Sequence, residues 1–246
     1  RYARICYFLK TKLMERLSEA TISAMMLLFS GNADLWEIIG ISFQVSFIAI
    51  LVATPPALLT AFVLAFLRFP GRRLLISINS TLLSVPAVVV GLTFYILLSR
   101  QGPLGEWKLL FTQSAMVLGQ IALAFPILAA MSHSALQAVD KRAWETARTL
   151  GAGPLRAFWT LMHEARFGLM AALLAAFGRI IAEVGASMML GGNILHYTRN
   201  IPTAIALETS KGEFSQGIAL GIVLLALAFT LNALLQNFQG RGQPVA

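Results

Sequence analysis

Apolar residues fill this chain in blocks of membrane length, separated by short polar runs. Five such blocks are legible, at residues 38–67, 74–99, 111–137, 169–190 and 216–236. A bilayer core needs ~20 consecutive apolar residues in a helix, so each block predicts one spanning helix. Pro55 and Pro56 fall inside the first block, Pro86 inside the second and Pro126 inside the third. Each removes a helix hydrogen bond and predicts a kink, either a tolerated one or a hinge. Residues 21–30 are apolar but too short to span, and residues 31–36 (GNADLW) read as a loop with an interfacial tryptophan. Residues 1–20 carry five basic side chains among aromatic and aliphatic ones and read as a basic extension at the membrane surface. Residues 21–240 form one membrane domain.

Composition agrees. Hydrophobic residues make up 57% of the 246 and charged residues only 12%, about half the ~25% of a soluble domain. The net charge of +8 sits mainly in the short loops, which points to anchoring and orientation in a bilayer and away from nucleic acid. The loops at 68–73 and 140–166 and the tail hold nine arginines and lysines, and the loops on the other side hold four. Positive residues mark the cytoplasmic face, so residues 140–166 and the C-terminus are expected there. The extension then falls on the opposite side, against the rule. The single cysteine, Cys6, excludes an internal disulfide framework and a cysteine-based metal cluster, and no cleavable signal peptide is expected.

Residues 144–168 (WETARTLGAGPLRAFWTLMHEARFG) form the longest polar island. Asp140 suits an N-cap, residues 141–150 lack helix breakers, Gly151 suits a C-terminal stop and Pro154 the first turn of a second helix. Two short helices meeting at 151–153 would expose a compact knob: a docking surface, or a connecting loop charged for solubility.

Arg179 and Glu183 lie within the fourth block four residues apart, hence on one helix face, which Ser187 continues. Charges inside a bilayer pair with each other or face a wet cavity; this pair is either structural or lines a path across the membrane. Gly178, Ala182 and Ala186 repeat at four-residue spacing, as do Gly217 and Gly221, which permits close helix approach within one subunit or between two. The polar stretch 191–215 reads as a loop carrying Thr203, Glu208, Thr209, Ser210 and Lys211. His196 has no partner pattern, so no metal site is expected. Asn232 and Gln236 satisfy each other or interfacial water. There is no Gly-x-x-x-x-Gly-Lys-Ser/Thr loop to hold phosphates and no nucleophile–base pattern. No catalytic residue and no cofactor are therefore expected.

Several of these segments carry a resemblance. The EAA loop of binding-protein-dependent ABC transporter permeases reads Glu-Ala-Ala, three residues, Gly, nine residues, Ile, any residue, Leu-Pro. Glu145, Ala147 and Gly151 match it, Leu161 stands at the Ile, and His163 and Glu164 replace the closing Leu-Pro. Residues 84–92 (SVPAVVVGL) and 97–105 (LLSRQGPLG) resemble molybdate- and tungstate-type permeases. Residues 178–179, 182–186 (AEVGA), 191–194 (GGNI) and 203–214 (TAIALETSKGEF) resemble the tungstate branch. The similarity covers about residues 20–238. It implies an all-α integral membrane protein with five core transmembrane helices of the MetI-like type and a cytoplasmic coupling-helix loop. Glu145, Ala147, Gly151 and Leu161 would couple to a cytoplasmic ABC ATPase subunit. Arg179, Glu183 and Ser187 become candidates for the translocation path. Thr203, Glu208, Thr209, Ser210 and Lys211 become candidates for an outer gate or the contact with an external oxyanion-binding protein. The implied substrate is tungstate, then molybdate, carried by a homodimer of this chain in a bacterial or archaeal cell membrane. Two other readings stay open: a membrane-embedded enzyme using Arg179, Glu183 and His196, and a proton-coupled secondary transporter using Glu183.

Overall fold

The hydrophobic blocks become helices. The computed structural model describes residues 33–67, 69–139 and 149–240, with isolated positions at 18, 21, 22, 25, 26, 30, 31 and 146. Nearly all of the basic extension lies outside the described residues. The first helix, α1 (Ala33–Phe66), runs for 34 residues through Pro55 and Pro56 without a break. It begins five positions before the first apolar block, so most of the expected GNADLW loop is its first turn. Asp34 stands in that turn, where a carboxylate complements the helix dipole. A second long helix, α4 (Gln113–Ala138), also continues through its proline, Pro126, and is capped by Thr112, whose hydroxyl accepts from the Ala115 N–H.

The second and fourth blocks are each broken into two helices where one continuous helix was expected. The second is α2 (Arg72–Leu83) and α3 (Ala87–Leu98), bent by 97°. Pro86 has no N–H to offer and holds Val85 away from helical geometry, so the helix stops at Ser84 and restarts at Ala87. The fourth is α6 (Arg166–Ile181) and α7 (Gly185–Gly191), bent by 61°. No proline causes this break; polar partners described below hold it. Among the described residues, three helices are long and apolar enough to cross a membrane, and counting each bent pair as one span gives up to five.

Small residues let the long helices approach. Ala49, Ala53 and Ala57 of α1, Ala124 and Ala129 of α4 and Ala176 of α6 are fully buried around Leu128 and Ile180. Where lipid offers no hydrophobic driving force, such close backbone packing is a main source of cohesion. The α3 and α7 halves meet as tightly. A Cβ added to Gly91 would lie 2.9 Å from the Ala186 backbone. Gly178 faces Leu231 of α9 (Phe214–Gly240), and Ala182 falls in the break after α6, so the expected four-residue repeat does not run along one helix. The side chains of Asn232 and Gln236 lie outside the described residues.

The stretch read as a polar loop at 191–215 contains a helix, α8 (Ile201–Lys211). Its signal was local: Asn200 and Thr203 form a capping box, with Asn200 Oδ1 accepting from Thr203 N–H at 3.1 Å and Thr203 Oγ1 accepting from Asn200 N–H at 3.1 Å. The helix is tied down because Ile201 N–H donates to Ser42 Oγ of α1 at 2.7 Å. Ile201 and Ala204 pack with Leu35 and Ile39 at the start of α1 and with Ala219 and Leu220 of α9. The end of α1 packs instead on α5 (Pro154–Glu164) through Ala61, Leu136 and Met162. The α8 and α5 ends of the bundle are therefore opposite faces, separated by the length of α1.

Candidate functional site

At the α5 end, the polar island folds as its glycine and proline predict. Leu150 N–H closes a turn on Thr146 O at 3.0 Å, and Gly151 follows at φ +81°, a left-handed position that glycine adopts at least cost. Gly153 caps α5 and Pro154 fills its first turn. The buried face of α5 is Ala157, Leu161 and Met162, and Phe158 meets Phe62 of α1 edge to face at 4.9 Å. Leu161 is thus fully enclosed and seats the helix on the bundle. Ala165 N–H bonds Leu161 O at 2.8 Å and Leu169 N–H bonds Ala165 O at 2.9 Å, so α5 runs into α6 with one residue between. The departure at His163 and Glu164 falls at this joint, where Arg166 Nη1 donates to the His163 carbonyl at 3.1 Å and stacks 4.7 Å over Phe167. The opposite face of α5 is open: Leu155 is 71% and Trp159 65% exposed, and Leu150 ahead of the Gly151 turn is 82% exposed. Glu145 and Ala147 lie outside the described residues.

In the middle of the bundle, the structure joins Arg179 and Glu183, but not on one helix face. Arg179 closes the last turn of α6, and Glu183 sits in the break. Arg179 Nη1 donates to Glu183 Oε2 at 2.8 Å, and the other oxygen, Oε1, accepts from Gly185 N–H at 2.9 Å. One carboxylate therefore ends α6 and starts α7. The Glu183 side chain is 9% exposed and that of Arg179 55%. Ser187 belongs to α7, not to a continuing α6 face, and its hydroxyl is buried without a hydrogen-bond partner among the described residues. A residue that sequence reasoning passed over supports the break: Gln120 of α4 is buried, and its Nε2 donates to Ile180 O at 3.4 Å, a carbonyl that Glu183 N–H also reaches at 3.1 Å. Asn79 of α2 acts alike, donating to Pro126 O at 3.2 Å. An amide inside an apolar block was the available signal for both.

At the α8 end, the five candidates separate. Thr203 is fully buried in its capping box and has no surface for a partner. Glu208 is buried and paired with Lys211 at 3.0 Å. Thr209, Ser210 and Lys211 are exposed. A cleft of about 340 Å³ lies beside them, lined by Asp34, Arg199, Glu208, Lys211 and Glu213 among others. His196 does have a partner: Nδ1 lies 2.6 Å from Glu37 Oε2 of α1. That bond raises the imidazole pKa above 6.5, and the Glu37 and Asp34 charges add to it.

Arg179, Glu183 and His196 do not form one cluster. The first two serve the α6–α7 joint, while His196 binds the start of α1. Among the described residues, the arrangement offers two broken helix pairs, an exposed apolar face at the α5 end and a charged cleft at the α8 end.

Comparison with known proteins fits that description. The family model for the binding-protein-dependent transport system inner membrane component matches residues 53–241. The tungstate uptake system permease protein TupB of Campylobacter jejuni is 40% identical over 224 residues, covering 91% of this chain and 94% of the relative. A probable anion ABC transporter permease protein of Haloferax volcanii is 41% identical over 210 residues, covering 83% and 90%. Among solved structures, the MetNI methionine ABC transporter in an inward-facing conformation aligns with a TM-score of 0.62 at 18% identity, covering 87% of this chain and 97% of that one.

Proposed function

Since this chain belongs to the family of binding-protein-dependent transport system inner membrane components, we propose that it is the transmembrane subunit of an ABC importer for a tetrahedral oxyanion, tungstate foremost. The relatives' names supply the substrate class. The observation that carries the mechanism is the open face of α5. Leu155 and Trp159, one turn apart, form an apolar patch on a helix whose other face is locked to α1 and α4, and Leu150 ahead of the Gly151 turn is exposed as well. An exposed aromatic anchor on a rigid support is the usual core of a protein interface. Its partner is a separate ATPase subunit, and the α5 end then lies in the cytoplasm together with the C-terminus.

The joints explain how the partner's work reaches the membrane. Closure of two ATPase subunits displaces α5. Met162 and Phe158 pass that displacement to the ends of α1 and α4, and Ala165 passes it to α6. At its far end α6 stops at the Arg179–Glu183 pair, where the helix is already broken and can change angle without breaking a hydrogen-bonded span. Five spans enclose half of a path, so two copies assemble, and an external oxyanion-binding protein delivers its cargo to the α8 end. There Thr209, Ser210 and Lys211 offer exposed polar surface.

Reconstitution tests this. The chain is placed in liposomes with its ATPase and a tungstate-loaded binding protein. ATP-dependent accumulation of tungstate is expected, and Trp159→Glu with Leu155→Glu is expected to release the ATPase during purification. If the doubly substituted chain retains the ATPase undiminished, the docking assignment is wrong. If ATP drives no oxyanion uptake by the intact assembly, the transport assignment is wrong.

A further inference from the structure

The short helix α2 divides its surface into three sectors, and only two have an owner. The first faces the bundle. Arg72 Nε donates to Leu64 O of α1 at 2.6 Å, and Asn79 is buried against Pro126 of α4. The second is apolar and exposed, with Leu74, Ile78 and Leu82, as expected of a surface against lipid. The third is exposed and entirely polar. At 3.6 residues per turn, Ser80, Arg73, Ser84, Ser77 and Thr81 fall in that order within an arc of about 100°, and all five are exposed. No apolar residue enters the arc.

A single serine or threonine is tolerated in lipid, because its hydroxyl can bond the carbonyl one turn back. Ser80 does so on Ile76 O and Thr81 on Ser77 O, each at 2.9 Å. Five polar positions segregated from an adjacent apolar arc on the same half-span are a different pattern. A guanidinium and four hydroxyls gathered on one side belong to a surface that water reaches. Resting on the transport reading above, we infer that this arc of α2 lines a water-filled track by which the oxyanion leaves toward the ATPase side.

The placement suits that task. Arg73 stands at the α5 end, where Arg72 beside it touches the end of α1. From there to Ser84 the arc rises about 16 Å, roughly half of a bilayer core. It ends at the depth of the two breaks. Val88, one turn beyond Ser84, touches Gly185, and Gly185 is the residue that Glu183 caps. Beyond the bend the segregation ends: α3 exposes Val88, Val89 and Leu92, and its exposed Thr93 hydroxyl is bonded to Val89 O at 2.9 Å. A fully deprotonated tetrahedral oxyanion only accepts hydrogen bonds. The arc supplies hydroxyls that rotate from helix carbonyls to the anion and one fixed positive charge, with no carboxylate to repel it. Weak hydroxyl contacts let an ion pass without being trapped.

Cysteine accessibility in the reconstituted transporter tests the track. Cys6 is first replaced by serine. Ser77→Cys, Ser80→Cys and Thr81→Cys are then compared with Leu74→Cys and Ile78→Cys on the lipid arc, using a membrane-impermeant, negatively charged methanethiosulfonate. Serine to cysteine is nearly isosteric, so assembly is expected. A thiol in apolar surroundings is held protonated, and one unit of pKa alone means a tenfold smaller reactive fraction, so the polar-arc cysteines are expected to react at least roughly tenfold faster. Equal rates on the two arcs, or faster reaction on the lipid arc, would overturn the proposal. The same liposomes are assayed for tungstate uptake. Uptake with unreactive polar-arc cysteines removes the track and leaves the transport reading standing. Reactive cysteines without uptake of tungstate remove the substrate assignment and leave a water-lined track.

Discussion

The Glu183 carboxylate joins the two halves of a broken span, and its replacement separates the two bonds it makes. Glu183→Ala removes the acceptor of Gly185 N–H and the partner of Arg179 together. A bond to a charged acceptor at a nearly enclosed position contributes about 1.5–3 kcal/mol. The ion pair adds at most ~1 kcal/mol, because the Arg179 side chain is 55% exposed and water screens it. The loss is therefore about 2–4 kcal/mol, or a fall in thermal midpoint of about 4–16 °C for a chain of this size. Glu183→Gln keeps an oxygen for Gly185 and loses only charge, so it should cost roughly 1 kcal/mol. Thermal unfolding of the purified transporter, followed by tryptophan fluorescence, ranks the two. The expected order of stability is wild type, Gln, Ala. If Gln costs as much as Ala, the charge and not the cap holds the break, and the account of the joint fails. If Ala costs nothing, neither bond matters.

Other expectations follow from single contacts. Leu161→Ala opens a void under α5 in a fully buried position and should cost ~2–5 kcal/mol; ATPase activity should also lose its response to the loaded binding protein, whereas a mere interface residue would leave the thermal midpoint unchanged. Gly91→Ala places a methyl 2.9 Å from the backbone of Ala186, so about 1–3 kcal/mol of strain is expected, measured in the same unfolding assay; an unchanged midpoint would mean that α3 and α7 separate freely. Asn200→Ala removes the cap of α8 at about 1 kcal/mol, and faster hydrogen exchange across Ile201–Lys211 is the readout. The His196–Glu37 bond carries a pH dependence of known sign. Its imidazole pKa is raised above 6.5 in the folded protein, so its stabilising effect is complete below 6.5 and is lost as pH rises through the raised value. The midpoint difference between wild type and His196→Gln should shrink over that window; a difference that grows with pH would contradict the pairing.

Much of the molecule was legible without coordinates, wherever the physics is local. Runs of apolar residues long enough for a bilayer predict spans whatever their neighbours, and the loops between them take what is left. The turn at Gly151 and the start of α5 at Pro154 follow from the conformations those two residues allow. The capping box at Asn200 and Thr203 was equally local, and the helix it starts was missed because the surrounding stretch is polar. What the sequence could not reveal is where a backbone may be left unpaired inside the membrane. Pro55, Pro56 and Pro126 leave their helices continuous, Pro86 ends one, and the break after Ile181 has no proline at all. The difference lies in partners that only the folded bundle brings near: Glu183 Oε1 for Gly185 N–H, and Gln120 for the carbonyl of Ile180. Without water, a broken helix is stable only where such groups meet its free ends. The same holds for the arcs of α2. Their composition is written in the chain, but which arc faces the bundle was decided by the packing of Asn79 on α4 and Arg72 on α1.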